Sequence, residues 1–173
     1  WVLMGLIELA ALTIAGASQA QTVVHSGRLD DPGNLALISS SGAAPAFGSA
    51  QAVANNVALY TLTMPIAGLL SIVSTGFASG GIDPYFTIFK GSGAAGTFVD
   101  SNYVQAFSTG GDFSFTASLA AGDYSISLGA FANMSFAENL GAGTLGDGFT
   151  ALGASAYTGD SSYRLLVTTP VPE

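Results

Sequence analysis

The chain has 173 residues, a length that suits one domain, and charged residues make up only 8% of it, against about 25% in an ordinary soluble domain. Eleven acidic and three basic residues give a formal net charge of −8, which excludes nucleic-acid binding, because affinity for a phosphate backbone comes from several Lys and Arg side chains. There is no cysteine, so disulfide bonds and thiol chemistry are excluded as well.

The scarcity of charge also affects the surface. A folded monomer stays apart from its neighbours through a hydrated, charged exterior. Much of this exterior must instead be Ser, Thr, Gly, Asn and Ala, with some apolar surface left over. Such a surface is either tolerated in a dilute secreted protein or covered by other copies of the chain, and we favour the second interpretation.

Residues 1–20 form an apolar leader interrupted by Glu8. Ser18 and Ala20 stand at positions −3 and −1 of a cleavage site before Gln21, which is typical of a secretory signal whose basic region we expect upstream. Two alternatives remain open. Leu6-Ile7-Glu8-Leu9 is similar to the apolar, Glu-containing helix of type IV pilins, which indicates a retained assembly segment. A membrane span needs about 20 apolar residues, and Glu8 opposes it.

Residues 21–168 are predicted to form one all-β domain, a two-sheet jelly-roll-like sandwich of about eight strands. Short alternating segments are separated by Gly-, Ser-, Asn- and Asp-rich turns at a spacing of roughly ten residues, as in sandwiches and barrels. The predicted strands include Val57–Met64, Leu69–Ser74, Tyr85–Phe89, Phe113–Leu119, Tyr124–Leu128 and Arg164–Thr168.

Three details of this prediction can be compared with a structure. Leu69–Ser74 is expected to be the hairpin partner of Val57–Met64. Phe113, Phe115, Ala117 and Leu119 are expected to face inward, as are Tyr124, Ile126 and Leu128. Ser39–Ala54 is predicted to be a long loop, and Asn133–Tyr157 is predicted to be a loop or short turns.

Reactive groups are few. His25, the only histidine, lies in a short strand near the expected mature N-terminus, with no nucleophile motif around any Ser, so we interpret it as a structural or surface residue. Asp30 and Asp31 precede Pro32-Gly33-Asn34 and are weak calcium candidates, since oxygen ligands on a tight turn are what calcium binds; the same residues form a turn without any ion. Asp83 is expected to hydrogen-bond within its own turn. We predict no catalytic residue and no other cofactor.

The aromatic residues allow two interpretations. Side chains in alternating strands usually belong to the core, but an exposed row of them would stack against sugar rings. The candidates for such a row are Tyr60, Tyr85, Phe86, Tyr103 and Phe107.

Several motifs, in order, resemble a known family. They are Asn55 to Tyr60, Gly80-Gly81-Ile82-Asp83-Pro84 through Phe89, Leu119 to Tyr124, and the loop from Phe131 to Phe149. Together they resemble the DVUA0089 family of exported proteins, which is distantly similar to bacterial pre-peptidase C-terminal β-sandwich domains. Residues 169–173 end in Val171-Pro172-Glu173, which resembles the start of a PEP-CTERM sorting tail. The resemblance implies a jelly-roll-like sandwich, export and surface association, and it implies no reaction.

We therefore expect an exported bacterial protein of the cell surface or extracellular matrix, such as a biofilm component, that associates with other copies of itself. It is a candidate filament subunit in which Val23 to Leu37 is exchanged to complete a neighbour's sheet. The alternative is an adhesive binding module that depends on polysaccharide or calcium. An enzyme is not expected.

Overall fold

The computed structural model describes residues 19–31, 57–105, 111–131, 133–140, 142–149 and 160–172. These residues form eight strands: β1 (Ala20–Arg28), β2 (Val57–Met64), β3 (Gly68–Ser74), β4 (Pro84–Lys90), β5 (Thr97–Ser101), β6 (Ser114–Leu119), β7 (Gly122–Ala130) and β8 (Ser162–Pro170). The helical elements are short, with helices at Asn102–Gln105 and Phe136–Asn139 and single 3-10 turns at Phe77–Ser79, Gly93–Ala95 and Leu145–Asp147.

The strands lie in two four-stranded antiparallel sheets that pack together, which confirms the predicted all-β sandwich. Sheet 1 has the order β1-β8-β3-β6, and sheet 2 has the order β2-β7-β4-β5. The pairs β1 with β8, β2 with β7, β3 with β6 and β4 with β5 are nested within one another along the chain. This nesting is the order of a jelly roll, in which a long folded-over chain rolls into two sheets.

The main core lies between the two sheets. Phe86 is fully buried at its centre, with its ring centroid 4.9 Å from those of both Phe113 and Phe115. The predicted inward residues of β6 and β7 all belong to this cluster, while Ser114, Thr116 and Ser118 are exposed. The alternation therefore predicted the inner face of both strands correctly.

A second apolar cluster covers the outer face of sheet 2. Val57, Phe89 and Phe98 project from that face and pack against the segment 133–149, chiefly against Leu145 and Phe149. This segment, which we call the cover, lies in the predicted loop Asn133–Tyr157. It is packed and contains a short helix and a 3-10 turn, and residues 150–157 lie outside the described residues, as does the predicted loop Ser39–Ala54.

The predicted hairpin between β2 and β3 is wrong. β2 pairs with β7, and β3 pairs with β6 and β8, so the two strands belong to different sheets. The chain crosses between the sheets at Pro65, Ile66 and Ala67, and the inner faces of β2 and β3 meet across the core. An alternating pattern identifies inner residues equally well in either arrangement, so it cannot choose the strand partner.

The N-terminal strand is paired within the chain. β1 runs from Ala20 to Arg28 in regular register with β8, so His25 lies in a strand as predicted. Residues 32–37 of the segment expected to be exchanged lie outside the described residues. β5, which the sequence analysis did not predict, is short, follows a Gly-rich turn and pairs with β4 through an irregular register.

Candidate functional site

Among the described strands, β1 lies at the edge of sheet 1, and the bonds at its two ends show how its backbone groups are directed. The Gln19 carbonyl accepts from the Val171 N–H, and the Leu29 N–H donates to the Ser161 carbonyl, both at 3.0 Å. In an antiparallel pair, successive residues direct their N–H and C=O groups alternately to one side and the other. The odd-numbered residues from 19 to 29 are therefore bonded to β8.

The even-numbered residues of β1 have the opposite orientation. Thr22, Val24 and Ser26 direct their N–H and C=O groups away from β8, towards the open side of the strand. Val23 and Val24 are 44% and 47% exposed. β1 is thus held mainly by backbone bonds to one neighbour, and the first fully buried side chain beyond it is Leu29.

Sheet 1 contains no acidic residue in any of its four strands. Two of the three basic residues of the chain, Arg28 and Arg164, lie in these strands. The side chains that project from the side opposite the core form what we call the outer face. Apart from Arg28 and Arg164, which also lie on this face, they are small, hydroxylated or apolar, as in Thr22, Val24, Leu69, Ser71, Thr116 and Leu166.

The apolar part of the outer face is exposed. Leu69 is 58% exposed, and it borders a shallow groove of about 300 Å³ that is also lined by Ile66 and Pro170. The outer face of sheet 1 therefore differs from that of sheet 2, whose apolar side chains lie beneath the cover.

The calcium candidate Asp30 belongs to a charged cluster at the end of β1. Its carboxylate accepts from Arg28 Nε at 3.1 Å and from Ser161 Oγ at 2.5 Å, and Arg28 Nη1 also donates to Asp160 at 2.6 Å. These bonds lower the pKa of Asp30, with the Ser161 hydroxyl as the largest cause. Burial raises the pKa values of Tyr60 and Tyr163, and the negative charge of neighbouring Asp31 adds to this effect.

Among the described carboxyl groups, Glu138 has the most strongly shifted pKa, and the sequence analysis did not single it out. It lies in the short helix Phe136–Asn139 of the cover. Its Oε2 accepts from the hydroxyl of buried Tyr85, and its Oε1 accepts from Ser101 Oγ at 2.5 Å. The two donors favour the ionised carboxylate, but burial dominates and raises the pKa of Glu138 to about 7.

Further hydroxyl groups extend this network beneath the cover. Thr87 Oγ1 donates to Tyr85 Oη at 3.0 Å and approaches Ser135 Oγ at 3.2 Å, and Ser135 Oγ accepts from the Glu138 N–H at 3.2 Å. Ser135 and Glu138 have the S-x-x-E spacing of a helix start, a signal that could have located this helix from the sequence. Nothing in the spacing indicates that the carboxylate contacts Tyr85 and Ser101 on sheet 2.

His25 of β1 lies beside a pair of tyrosines, Tyr60 of β2 and Tyr163 of β8. Its ring centroid is 4.1 Å from that of Tyr60, and the Tyr60 and Tyr163 hydroxyls lie 2.5 Å apart. Burial lowers the pKa of His25 and raises the pKa of both tyrosines. Among the described residues, no hydrogen bond joins His25 to a Ser hydroxyl.

The five aromatic candidates do not form one row. Tyr85 and Phe86 are buried, Tyr60 is half-buried, and Phe107 lies outside the described residues. Tyr103 is 41% exposed, and its ring is stacked against that of Phe131, which is 36% exposed, with the centroids 6.4 Å apart. The sequence analysis placed Phe131 in a family motif but did not identify it as part of an aromatic surface.

The remaining carboxylates that the structure describes mostly hold turns. Asp83 accepts from the Gly111 N–H at 2.9 Å, so it secures another loop rather than its own turn as predicted. Asp112 accepts from Ser74 Oγ and from the N–H groups of Phe77 and Ala78. Asp147 accepts from Thr144 in a capping box at the Leu145–Asp147 turn.

The described residues contain no group of three or more His, Cys, Asp or Glu side chains placed to hold a metal ion. None of their helices has the length and apolar character required to span a membrane. No family model, curated protein or solved structure matches this chain.

Proposed function

We propose that this chain is an exported structural protein of the bacterial cell surface or extracellular matrix that associates with other copies of itself and catalyses no reaction. The observation that carries the proposal is the uneven distribution of charge. The chain has a net charge of −8, yet the four strands of sheet 1 contain none of its acidic residues.

This uneven distribution of charge favours contacts in which two copies meet through sheet 1. Two chains of like charge repel each other, and at physiological salt the repulsion acts over roughly 8 Å, so the charges nearest the contact matter most. Copies that meet through sheet 1 bring together Ser, Thr, apolar side chains and the two arginines of its strands, and none of its strands carries a carboxylate. Exposed Val24, in the edge strand of this sheet, then contributes apolar area to the contact.

The non-enzymatic part of the proposal is supported by the bonding of the acidic groups. Asp30, Asp112 and Asp147 each accept bonds that hold a turn or a strand end. Glu138 has a pKa suited to proton transfer, but both of its oxygens already accept bonds from Tyr85 and Ser101. A general acid or base must instead reach a substrate atom.

Strand exchange is one form that the association can take. β1 contributes little buried side-chain area, and 28 residues separate Arg28 from Val57 along the chain. A β1 strand that leaves its own β8 and pairs with the β8 of a neighbour would keep every backbone bond it has now. Export is supported by the leader and by Val171-Pro172-Glu173, and mass spectrometry of the mature termini tests it directly.

The test of the central proposal is the mass of the purified mature protein across a wide concentration range, measured by sedimentation and electron microscopy. We expect dimers or larger species, and we expect Val24→Lys to weaken them, because it places a positive charge of each copy in the contact. The matched control is Leu140→Lys, because Leu140 is 75% exposed on the cover, away from sheet 1. A wild-type monomer at every concentration would contradict the proposal.

The exposed ring pair of Tyr103 and Phe131 favours a second candidate, an adhesive module that binds polysaccharide. Parallel aromatic rings offer a flat apolar surface of the kind that sugar rings stack on. Here we expect soluble glycans to raise the melting temperature and Phe131→Ala to abolish the rise. Calcium belongs to the same alternative, and a melting temperature unchanged by calcium or chelator would remove Asp30 and Asp31 as ligands.

A further inference from the structure

No described strand pairs with the open side of β1, and this side lacks the devices that protect exposed strand edges in proteins. Such edges are usually short, bulged or marked by Lys or Pro. β1 is nine residues long, pairs with β8 without a register shift, and contains neither Lys nor Pro. Its one charged side chain, Arg28, is at the last position and is paired with Asp30 and Asp160.

The other three edges are less open to a new strand. β5 at the edge of sheet 2 has five residues, includes Asp100 and lies beside a register irregularity. β6 has six residues and alternates exposed Ser and Thr with core residues. β2, the other edge of sheet 2, has its outer face partly beneath the cover through Val57 and Leu59. Of the four edge strands, β1 is therefore the longest, and it has an exposed valine on each of its two faces.

We propose that β1 pairs antiparallel with β1 of a second copy about a twofold axis at Val24, which joins two copies of sheet 1 into one eight-stranded sheet. This inference rests on the proposed self-association and specifies the junction that forms it. Because the even-numbered residues direct their backbone groups outward, a second β1 must oppose even residues to even residues. Alignment of the whole strand with itself places its middle residue, Val24, opposite Val24 of the other copy.

The register satisfies both the backbone and the side chains. Thr22 lies opposite Ser26 of the other copy, and each such pair, like the pair at Val24, exchanges two backbone hydrogen bonds. Val23 lies opposite His25 of the other copy, and both side chains project to the core side of the joined sheet. The occupant is a second copy rather than an unrelated strand because one sequence fills both sides of this register, and no carboxylate of β1 opposes the contact.

Single-cysteine variants test the register, since the chain contains no cysteine of its own. Opposed residues of a bonded antiparallel pair have Cα atoms about 5.5 Å apart, which is within disulfide range. We expect Val24→Cys to form a disulfide-linked dimer on mild oxidation. Val23→Cys is the matched control, because Val23 is equally exposed but would lie on a diagonal at about 7–8 Å from itself. Equal or faster linkage through Val23→Cys would overturn the register.

A proline variant tests the backbone bonds. The Val24 N–H does not bond to β8, so Val24→Pro should leave the melting temperature close to that of the wild type while the dimer dissociates. Val24→Thr keeps the N–H and the branched side chain and should keep the dimer. If the wild type associates but Val24→Pro associates equally well, the junction is wrong and the proposed function stands. A wild type that never associates would defeat both.

Discussion

At the scale of single residues, Glu138 shows how burial and hydrogen bonding act against each other. The Tyr85 and Ser101 hydroxyls donate to its oxygens, which stabilises the charge, while the cover removes part of its hydration. The resulting pKa of about 7 lies above the ordinary value of 4.5. The folded protein therefore binds this proton more tightly than the unfolded chain does, and the group contributes stability that is fully present below pH 4.5 and lost as the pH rises through 7.

The variant Glu138→Gln removes this titration and predicts a difference in pH dependence. Relative to the variant, the wild-type free energy of unfolding should fall between pH 5 and 8 by roughly 1 kcal/mol, a value reduced for solvent screening at a half-buried site. Urea unfolding of both proteins at several pH values measures it. The lowered pKa of His25 makes stability fall in the opposite direction, towards acid pH. Because both proteins contain His25, its contribution cancels in the comparison. Parallel pH curves would show that Glu138 keeps an ordinary pKa.

The hydroxyl pair of Tyr60 and Tyr163 gives a second residue-level prediction. The two oxygens lie 2.5 Å apart between the sheets, so removal of either leaves the other without that partner. We expect Tyr60→Phe and Tyr163→Phe each to cost about 1 kcal/mol of unfolding free energy. The double variant should cost less than the sum, because it leaves no unpaired hydroxyl. Additive costs in chemical denaturation would show that the two groups do not interact.

At the scale of elements, the alternation of polar and apolar residues determined much of what could be predicted. Phe113, Phe115, Tyr124 and Ile126 were assigned to the core correctly because period two requires only the local sequence. The partner of β2 could not be predicted, because a strand that crosses to the other sheet and one that turns back share the same pattern. The Glu138 network was equally inaccessible, since Tyr85 and Ser101 are 53 and 37 residues away along the chain.

The cover is an element whose attachment can be tested on its own. Phe149 is 1% exposed and packs in the second cluster with Val57 and Phe89. Phe149→Ala should cost about 3–5 kcal/mol if the site cannot collapse, and hydrogen exchange should rise first in residues 133–149. Leu140→Ala, at an exposed position of the same element, is the control and should change neither. Uniform exchange across both sheets would indicate that the cover and the main core unfold as one unit.

At the scale of the whole molecule, a twofold contact at β1 has a consequence for assembly. A contact in which the same surface serves both copies closes at the dimer, so a filament needs a second contact elsewhere. Sheet 1 has a second edge in β6, and the bond from the Ser74 N–H to the Phe113 carbonyl shows that the odd-numbered residues of that strand face β3. Thr116 and its even-numbered neighbours therefore direct their backbone groups to the open side.

This second edge makes the filament hypothesis testable by two proline variants. If β1 and β6 both pair with their counterparts, the wild type extends through alternating junctions, Thr116→Pro stops at a dimer joined through β1, and Val24→Pro stops at a dimer joined through β6. Both prolines together should leave monomers. Because proline at these positions removes only an outward N–H, we expect the variants to remain folded, and circular dichroism checks this. Filaments that persist in the Thr116→Pro variant would show that growth uses strand exchange or another surface, since a single twofold junction at β1 cannot propagate.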